Sequence, residues 1–315
     1  MSNPALYPLK LNPSLHIKVW GGRKLSTEMN KPLPTDDPYG EAWELHDTST
    51  IANGSLQGQT LSEVVQAYGT DIIGAKNDPA EGFPLLAKIL DASDWLSVQV
   101  HPNDEQAKAL EGDPRGKTEA WVILAADEGA QLVIGLKPGT SREVMAQAIR
   151  DNRLEDFVVY ANVKVGDVLY IPANTIHALG PGLLIYEIQQ SSNITYRLYD
   201  WGRLGLDGQP RELHIEKGVQ VSNLESLPDV THPEGELMVD GEYFQTFRHE
   251  LDNIKLMIPT NNNFHSLTCT GGEITITADG HEDVTLYHGQ TGLIPACISE
   301  FAIEGTGTVL RSFQK

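Results

Sequence analysis

Apolar residues along the chain fall into short runs of strand length, separated by turns containing Gly, Pro, Asn and Asp. After Pro- and Gly-rich loops from Lys31 to Gly40, Glu41–Leu45 reads as a short strand. The stretch from Phe83 to Val100 carries Leu, Ile and Val runs broken only at Asp91–Asp94, which predicts two buried strands joined by a tight turn. Ala120–Leu124, Gln131–Leu136, Val168–Ile171, Leu183–Ile188 and Asn193–Tyr199 have the length and β-branched or aromatic content of further strands. Helical spacing marks Leu61–Tyr68 and a helical insertion, Ser141–Phe157, which opens on a Ser cap with Glu in its first turns. Ser222–Glu236, charge-rich with Pro and Ser, reads as a linker. Beyond it, Phe244–Phe247, Ile254–Ile258, Phe264–Thr268, Glu273–Thr277, Val284–Tyr287, Gly292–Ile294 and Thr308–Phe313 predict a second set of strands.

Many short strands with few helices argue for jelly-roll barrels rather than a doubly wound sheet. The expected fold is mainly β: two jelly-roll barrels with small helical insertions. The expected division is a catalytic unit at 1–221, a linker at 222–236 and a smaller, metal-free β-unit at 237–315. A sequence echo relates the halves. Gly166 and Gly289 are each followed by five residues and a proline, Pro172 and Pro295, but five residues further on stand His177 in the first case and Glu300 in the second.

The strand Leu96–Pro102 ends at its proline, and alternate side chains of a strand share a face, so Ser97, Gln99 and His101 point the same way. Gln99 and His101 interrupt the apolar pattern there and need a partner. Eighteen residues after His101 comes Glu119, with Lys117 on the same face. Gly166 to His177 matches the second cupin motif, G-x5-P-x-[GN]-x2-H, in which a strand starts at the glycine, ends at the proline and returns a histidine over the barrel mouth. Imidazole, carboxylate and amide oxygen together suit one divalent metal, with zinc the first choice. No Cys lies nearby, which favours a catalytic over a structural site. The other histidines, His16, His46, His214, His232, His249, His265, His281 and His288, are read as surface or satisfied core residues.

Charge narrows the partners. With 23 basic and 43 acidic residues the formal net charge is −20, which repels phosphate backbones and anionic lipids, so neither nucleic acid nor membrane is an expected partner. An anionic substrate would need basic side chains that reverse the field locally. Two Cys, Cys269 and Cys297, without a C-x-x-C pair fit a reducing compartment, and no stretch reads as a signal core or membrane span. Cytoplasmic residence, as monomer or homodimer, is the expectation.

The runs Pro84–Asp91, Leu96–Pro102, Lys117–Glu119, Ile171–His177 and Thr195–Trp201, with Gly40–Glu44 as an opening motif, together resemble, in order and spacing, the type I phosphomannose isomerases, closest to the short bacterial branch. The resemblance implies metal ligands at Gln99, His101, Glu119 and His177, an active-site arginine at Arg197, site lysines at Lys88 and Lys117, and a substrate-contacting serine at Ser97. It departs at Asn193, where an acidic residue is usual, and at Leu179, where an aromatic is often found. It implies a sugar phosphate substrate and aldose–ketose isomerisation through an enediol, which needs a base, a proton relay and positive charge at the oxyanion. Lys117 is expected to move the proton, Arg197 to stabilise the enediolate, and Lys88 to hold the phosphate or orient the substrate. Glu44 and Glu187 also sit in apolar strands, as pocket or pairing residues. The competing readings are a non-catalytic sugar-binding metal cupin and a metal-dependent cupin oxygenase.

Overall fold

The computed structural model describes residues 5–315. The predicted β architecture is present. A seven-stranded sheet runs in the order Val230–Thr231, Val168–Ile171, Glu119–Ala126, Leu183–Gln190, Leu85–Ala92, Tyr39–Leu45 and Ser14–Gly22. Facing parts of the first barrel come from the three-stranded set Ala178–Leu179, Gln131–Leu136 and Val158–Asn162, and from the pair Val98–Val100 with Tyr196–Tyr199. The central strands Leu85–Ala92 and Leu183–Gln190 are buried along their whole length, which explains their continuous apolar runs and makes each polar residue in them informative.

The second sheet is ordered Leu237–Asp240, Phe244–Pro259, Glu300–Gln314, His265–Thr277, Thr291–Ile294, Leu9–Asn12 and Thr50–Ile51, with Val284–Tyr287 on the side of His265–Thr277. Leu9 pairs with Leu293 and Leu11 with both Thr291 and Ile51, so strands from the start of the chain complete a sheet made by its end. Several predicted strands are fused. Phe244–Phe247 and Ile254–Ile258 belong to one 16-residue strand with a bulge between Asp252 and Ile254, and Phe264–Thr268 and Glu273–Thr277 to one 13-residue strand with a bulge between Cys269 and Gly271. A bulge admits one extra residue without ending the ladder, so turn-like residues inside a run mimic a boundary.

One expectation fails. Leu85–Ala92 and Val98–Val100 are not a hairpin: the chain between them is held away when Ser93 and Asp94 donate to the Trp20 carbonyl (2.9 and 3.2 Å) and Leu96 to that of Leu179 (2.8 Å). Val98–Val100 then pairs with Tyr196–Tyr199. Within the expected linker, Val230–Thr231 pairs with Val168–Leu169 at the edge of the seven-stranded sheet.

The helices are few and short. Leu61–Tyr68 starts from Thr60 in a reciprocal capping box with Glu63, and Arg142–Arg150 starts from the predicted Ser141 cap. Asp104–Glu111, which apolar spacing did not reveal, is set by the Asn103 and Gln106 capping box and ends on left-handed Gly112. Among the described residues no helix is long and apolar enough to cross a membrane. Gly166 and Gly289, the echoed glycines, both take left-handed φ, 87° and 84°, two positions before the strands Val168–Ile171 and Thr291–Ile294 begin. A Cβ at Gly289 would overlap the Met29 carbonyl.

The largest core cluster joins the two sheets, with Leu85, Tyr186 and Ile188 from one side and Phe244, Leu293 and Leu310 from the other. Phe83 and Phe264 meet edge-on across it, centroids 4.6 Å apart, both fully buried. Phe264→Ala should therefore cost roughly 3–5 kcal/mol, read by urea unfolding. A loss under about 1 kcal/mol would contradict a shared core.

Candidate metal centre and active-site cavity

Three separate chain segments build one cluster. Gln99 and His177 face each other across an antiparallel bridge, each amide donating to the other's carbonyl at 3.0 Å. Glu119 opens the strand Glu119–Ala126, opposite Ile171 on one side and Gln189 on the other. The turn after Pro172 explains the motif's Gly/Asn requirement: Asn174 is left-handed, φ 72°, a conformation that disfavours other side chains. Its amide N–H donates to the His101 carbonyl (2.8 Å), and its side chain to that carbonyl (3.2 Å) and to Gln106 Oε1 (2.6 Å). Asn174 therefore ties the two histidine-bearing loops together. Gly116 allows the Lys117 amide to reach the Pro102 carbonyl at 2.9 Å, since a Cβ at Gly116 would strike the backbone of Asn103.

His101, Glu119 and His177 are fully buried, and one ligand atom from each lies within 4.8 Å of the others. The hydrogen bonds define the tautomers. His101 Nδ1 donates to the Ile194 carbonyl (2.8 Å) and His177 Nδ1 to that of Thr175 (2.9 Å), which leaves both Nε2 lone pairs turned inward. Gln99 Nε2 is 3.2 Å from His177 Nε2, and a flip of that amide presents its oxygen at the same place. Glu119 Oε1 is 3.2 Å from His177 Nε2, and Oε2 is 3.6 Å from His101 Nε2. Lys117 Nζ lies 2.5 Å from Glu119 Oε2 and 3.0 Å from His101 Nε2. That lysine contact is an ion pair off the hydrogen-bond direction, so both buried Glu119 oxygens lack a well-aligned donor.

Burial would push the Glu119 carboxyl up, but Lys117 above all holds it well below the usual carboxylate range. Burial, then Lys117, drives His101 well below the usual imidazole range. An ionised carboxylate without aligned donors beside two imidazoles whose Nδ1–H groups are bonded to backbone and whose Nε2 atoms turn inward is a donor set that fits a divalent cation.

In front of this cluster opens a cavity of about 310 Å³ whose walls include Lys88, Ser97, Gln99, Lys117 and Arg197. Five cations, Lys18, Lys88, Lys117, Arg197 and Arg211, face it against two carboxylates, Glu41 and Glu187. The surplus reverses the field of a chain with net charge −20. Lys88 Nζ pairs with Glu187 Oε1 at 2.9 Å, and Trp121 Nε1 donates to Glu187 Oε2 at 2.8 Å. Burial works against the Lys88 ammonium, but Glu187 and Glu41 outweigh it and raise its pKa. Arg197 donates to the Glu212 carbonyl at 2.8 Å and keeps its Nε buried without a partner. Burial and the neighbouring Arg211 lower its pKa.

Residues 8–120 match the family model for the phosphomannose isomerase type I catalytic domain, and residues 234–314 that for the mannose-6-phosphate isomerase cupin domain. A mannose-6-phosphate isomerase of Streptococcus mutans is 33% identical over 97% of this chain and 98% of its own length. The chain belongs to the type I mannose-6-phosphate isomerase family. The crystal structure of the Bacillus subtilis mannose 6-phosphate isomerase superposes with TM-score 0.86 at 30% identity, covering 97% of this chain and 99% of that one. A mannose 6-phosphate isomerase solved with zinc bound has the same fold, with TM-score 0.78 at 18% identity over 98% of this chain and 99% of its own.

All eight site residues expected from the sequence meet around this one centre, with His101, Glu119 and His177 behind the cavity and the other five on its walls. Of the two other carboxylates considered, Glu187 lines the cavity, whereas Glu44 points to the second sheet. There it pairs with Lys31 Nζ (2.5 Å) and accepts from Thr291 Oγ1 (2.8 Å). The departure Asn193 lines the cavity, and Leu179 is buried in its strand. Lys18, Glu41, Thr195 and Arg211 are cavity residues that sequence reasoning missed. Lys18 had a signal, a cation between Ile17 and Val19 in a strand. Arg211 had none, because it lies in an irregular segment and is placed by Asp200, which accepts from its Nε at 2.7 Å.

Asn174→Ala should destabilise the fold by about 2–3 kcal/mol, combining left-handed strain with two lost side-chain hydrogen bonds, and Asn174→Gly by less. Thermal unfolding of both variants checks the order, and equal losses would contradict it. Glu41 gives a pH prediction. Burial opposes its ionised form, but Lys88, Lys18 and the Trp43 N–H bring its pKa down to about 2. A depressed carboxylate pKa stabilises the fold above its unfolded value near 4.5, and that stability is lost as pH falls toward 2. Glu41→Gln should flatten the acid limb of a stability–pH curve between those values. An unchanged limb would contradict the assignment.

Proposed function

We propose that this chain interconverts mannose 6-phosphate and fructose 6-phosphate through an enediol, with one divalent metal, zinc by preference, held by Gln99, His101, Glu119 and His177. The observation that carries this reading is the meeting of an unsatisfied carboxylate–imidazole cluster with a cation-lined cavity in a chain of opposite overall charge. Its relatives bear the name of this activity, and a fold neighbour was solved with zinc. The metal, when bound, supplies Lewis-acid charge to the sugar oxygens.

The chain's own residues do the rest. Isomerisation removes a proton from C2 of the aldose, shifts the electron pair into a C1–C2 enediol and returns a proton to C1, while another passes between O1 and O2. Lys117, whose amine stands at the junction of cluster and cavity, moves the proton. Arg197, on the cavity wall with an unpartnered Nε, stabilises the enediolate. Lys88 is kept an ammonium by Glu187 and Glu41, which suits holding the phosphate or orienting the sugar rather than acting as a base. Ser97 contacts the substrate.

The catalytic unit is residues 1–221, the linker 222–236 and a smaller, metal-free β-unit 237–315, with Leu9–Asn12 and Thr50–Ile51 lent to the sheet of the latter. Cytoplasmic residence, as monomer or homodimer, completes the reading.

Lys117→Met should lower turnover of mannose 6-phosphate by roughly 10²–10⁴-fold while metal content, measured by elemental analysis, stays at the wild-type level. An active variant would refute the role of Lys117. Stripping the wild type with a chelator should abolish turnover, and zinc should restore it; full activity without metal would refute the metal's part.

A further inference from the structure

The second sheet buries a cation that the proposed catalytic machinery does not use. Arg311, on the strand Glu300–Gln314, is 8% exposed and lies beside the stacked Phe247 and Phe313 rings, 4.6 and 4.9 Å from their centroids. Its Nε donates to His249 Nε2 and its Nη1 to His265 Nδ1, both at 3.0 Å. Each imidazole is thus an acceptor, with its own proton on the far nitrogen. His249 Nδ1 faces Glu236 Oε1 at 3.3 Å, and His265 Nε2 donates to the Thr260 carbonyl at 3.3 Å. Burial, followed by Arg311, lowers both, His265 to about 3, so neither ring carries charge near neutral pH. Among the described residues Arg311 forms no ion pair with a carboxylate. Neutral acceptors satisfy hydrogen bonds, and the exposed Glu236 beyond His249 offsets the charge only in part, since burial still lowers the Arg311 pKa to about 10.

That charge forms part of the wall of a cavity of about 500 Å³ between the loop Gly74–Asn77 and the turn Pro259–Asn263. Lys76, exposed and without an ion-pair partner among the described residues, is the second cation on its wall. No Asp or Glu lines it, in a chain with 43 acidic residues. The cavity shares no lining residue with the catalytic one and is larger. Its volume falls within the range of roughly 300–1,000 Å³ typical of small-molecule sites.

We propose that this cavity is a second anion site, which takes the oxyanion group of a small phosphorylated or carboxylated molecule between Arg311 and Lys76. A compact oxyanion supplies the missing counter-charge to the guanidinium, whose planar fork matches phosphate and carboxylate alike. The proposal does not depend on the catalytic reading.

Amide hydrogen exchange on the full chain, titrated in parallel with inorganic phosphate, fructose 6-phosphate and citrate, tests it. Slower exchange is expected at residues 73–77 and 258–265. Response to the phosphates alone assigns a phosphorylated ligand, and response to citrate a carboxylated one. Lys76→Glu, a change at an exposed position, should shift the midpoint upward by roughly tenfold or more, since like-charge juxtaposition disfavours the ligand. Arg311→Met, checked for an unchanged circular dichroism spectrum, should abolish the response. Absence of protection in both segments with all three anions, or protection that both variants leave unchanged, overturns the proposal. Protection at 97–99 and 193–197 reports the catalytic cavity separately.

Discussion

Glu119 is the constraint around which the structure is arranged. A carboxylate with no exposure and no aligned hydrogen-bond donor costs several kcal/mol unless positive charge converges on it. Lys117 supplies that charge, His101 and His177 turn their Nε2 atoms to the same carboxylate from distant stretches of chain, and most of the local conformation near them serves this arrangement. The reciprocal bridge between Gln99 and His177, the left-handed turn at Asn174 and the close approach at Gly116 each fix one member of the cluster by backbone geometry. Backbone bonds to both Nδ1 atoms then leave the two Nε2 lone pairs directed at the same point.

Electrostatics works on two scales. Over the molecule, excess carboxylates repel anions; within the cavity, cations outnumber carboxylates and attract them. Glu187 and Glu41 keep that surplus in bounds by pairing with Lys88 and Lys18. The burial of Glu44 has a different purpose. With Lys31 and Thr291 it makes a polar contact inside the region where the two sheets meet, alongside the shared apolar core.

Features encoded by neighbouring residues were legible. The second motif announces a strand and the turn that returns His177, the Ser141 cap and the spacing of Leu61–Tyr68 announce helices, and Gln99, His101 and Lys88 betray themselves as polar side chains in apolar strands. Features that depend on partners far away in sequence were not. Nothing in Leu96–Pro102 says that its strand joins Tyr196–Tyr199, and nothing in Leu9–Asn12 says that it completes a sheet begun near the carboxy terminus. Bulges divided long strands into apparent pairs, and Arg211 reaches the cavity only because Asp200 holds it. His249 and His265, read as ordinary satisfied residues, are indeed hydrogen-bonded; their significance comes from the buried guanidinium between them.

X-ray absorption at the zinc edge of the zinc-loaded full chain tests the central claim most directly. The account predicts a first shell of nitrogen and oxygen near 2.0–2.2 Å with the outer-shell scattering of two imidazoles and no sulfur. Scattering from water oxygens alone, or from sulfur, would contradict it.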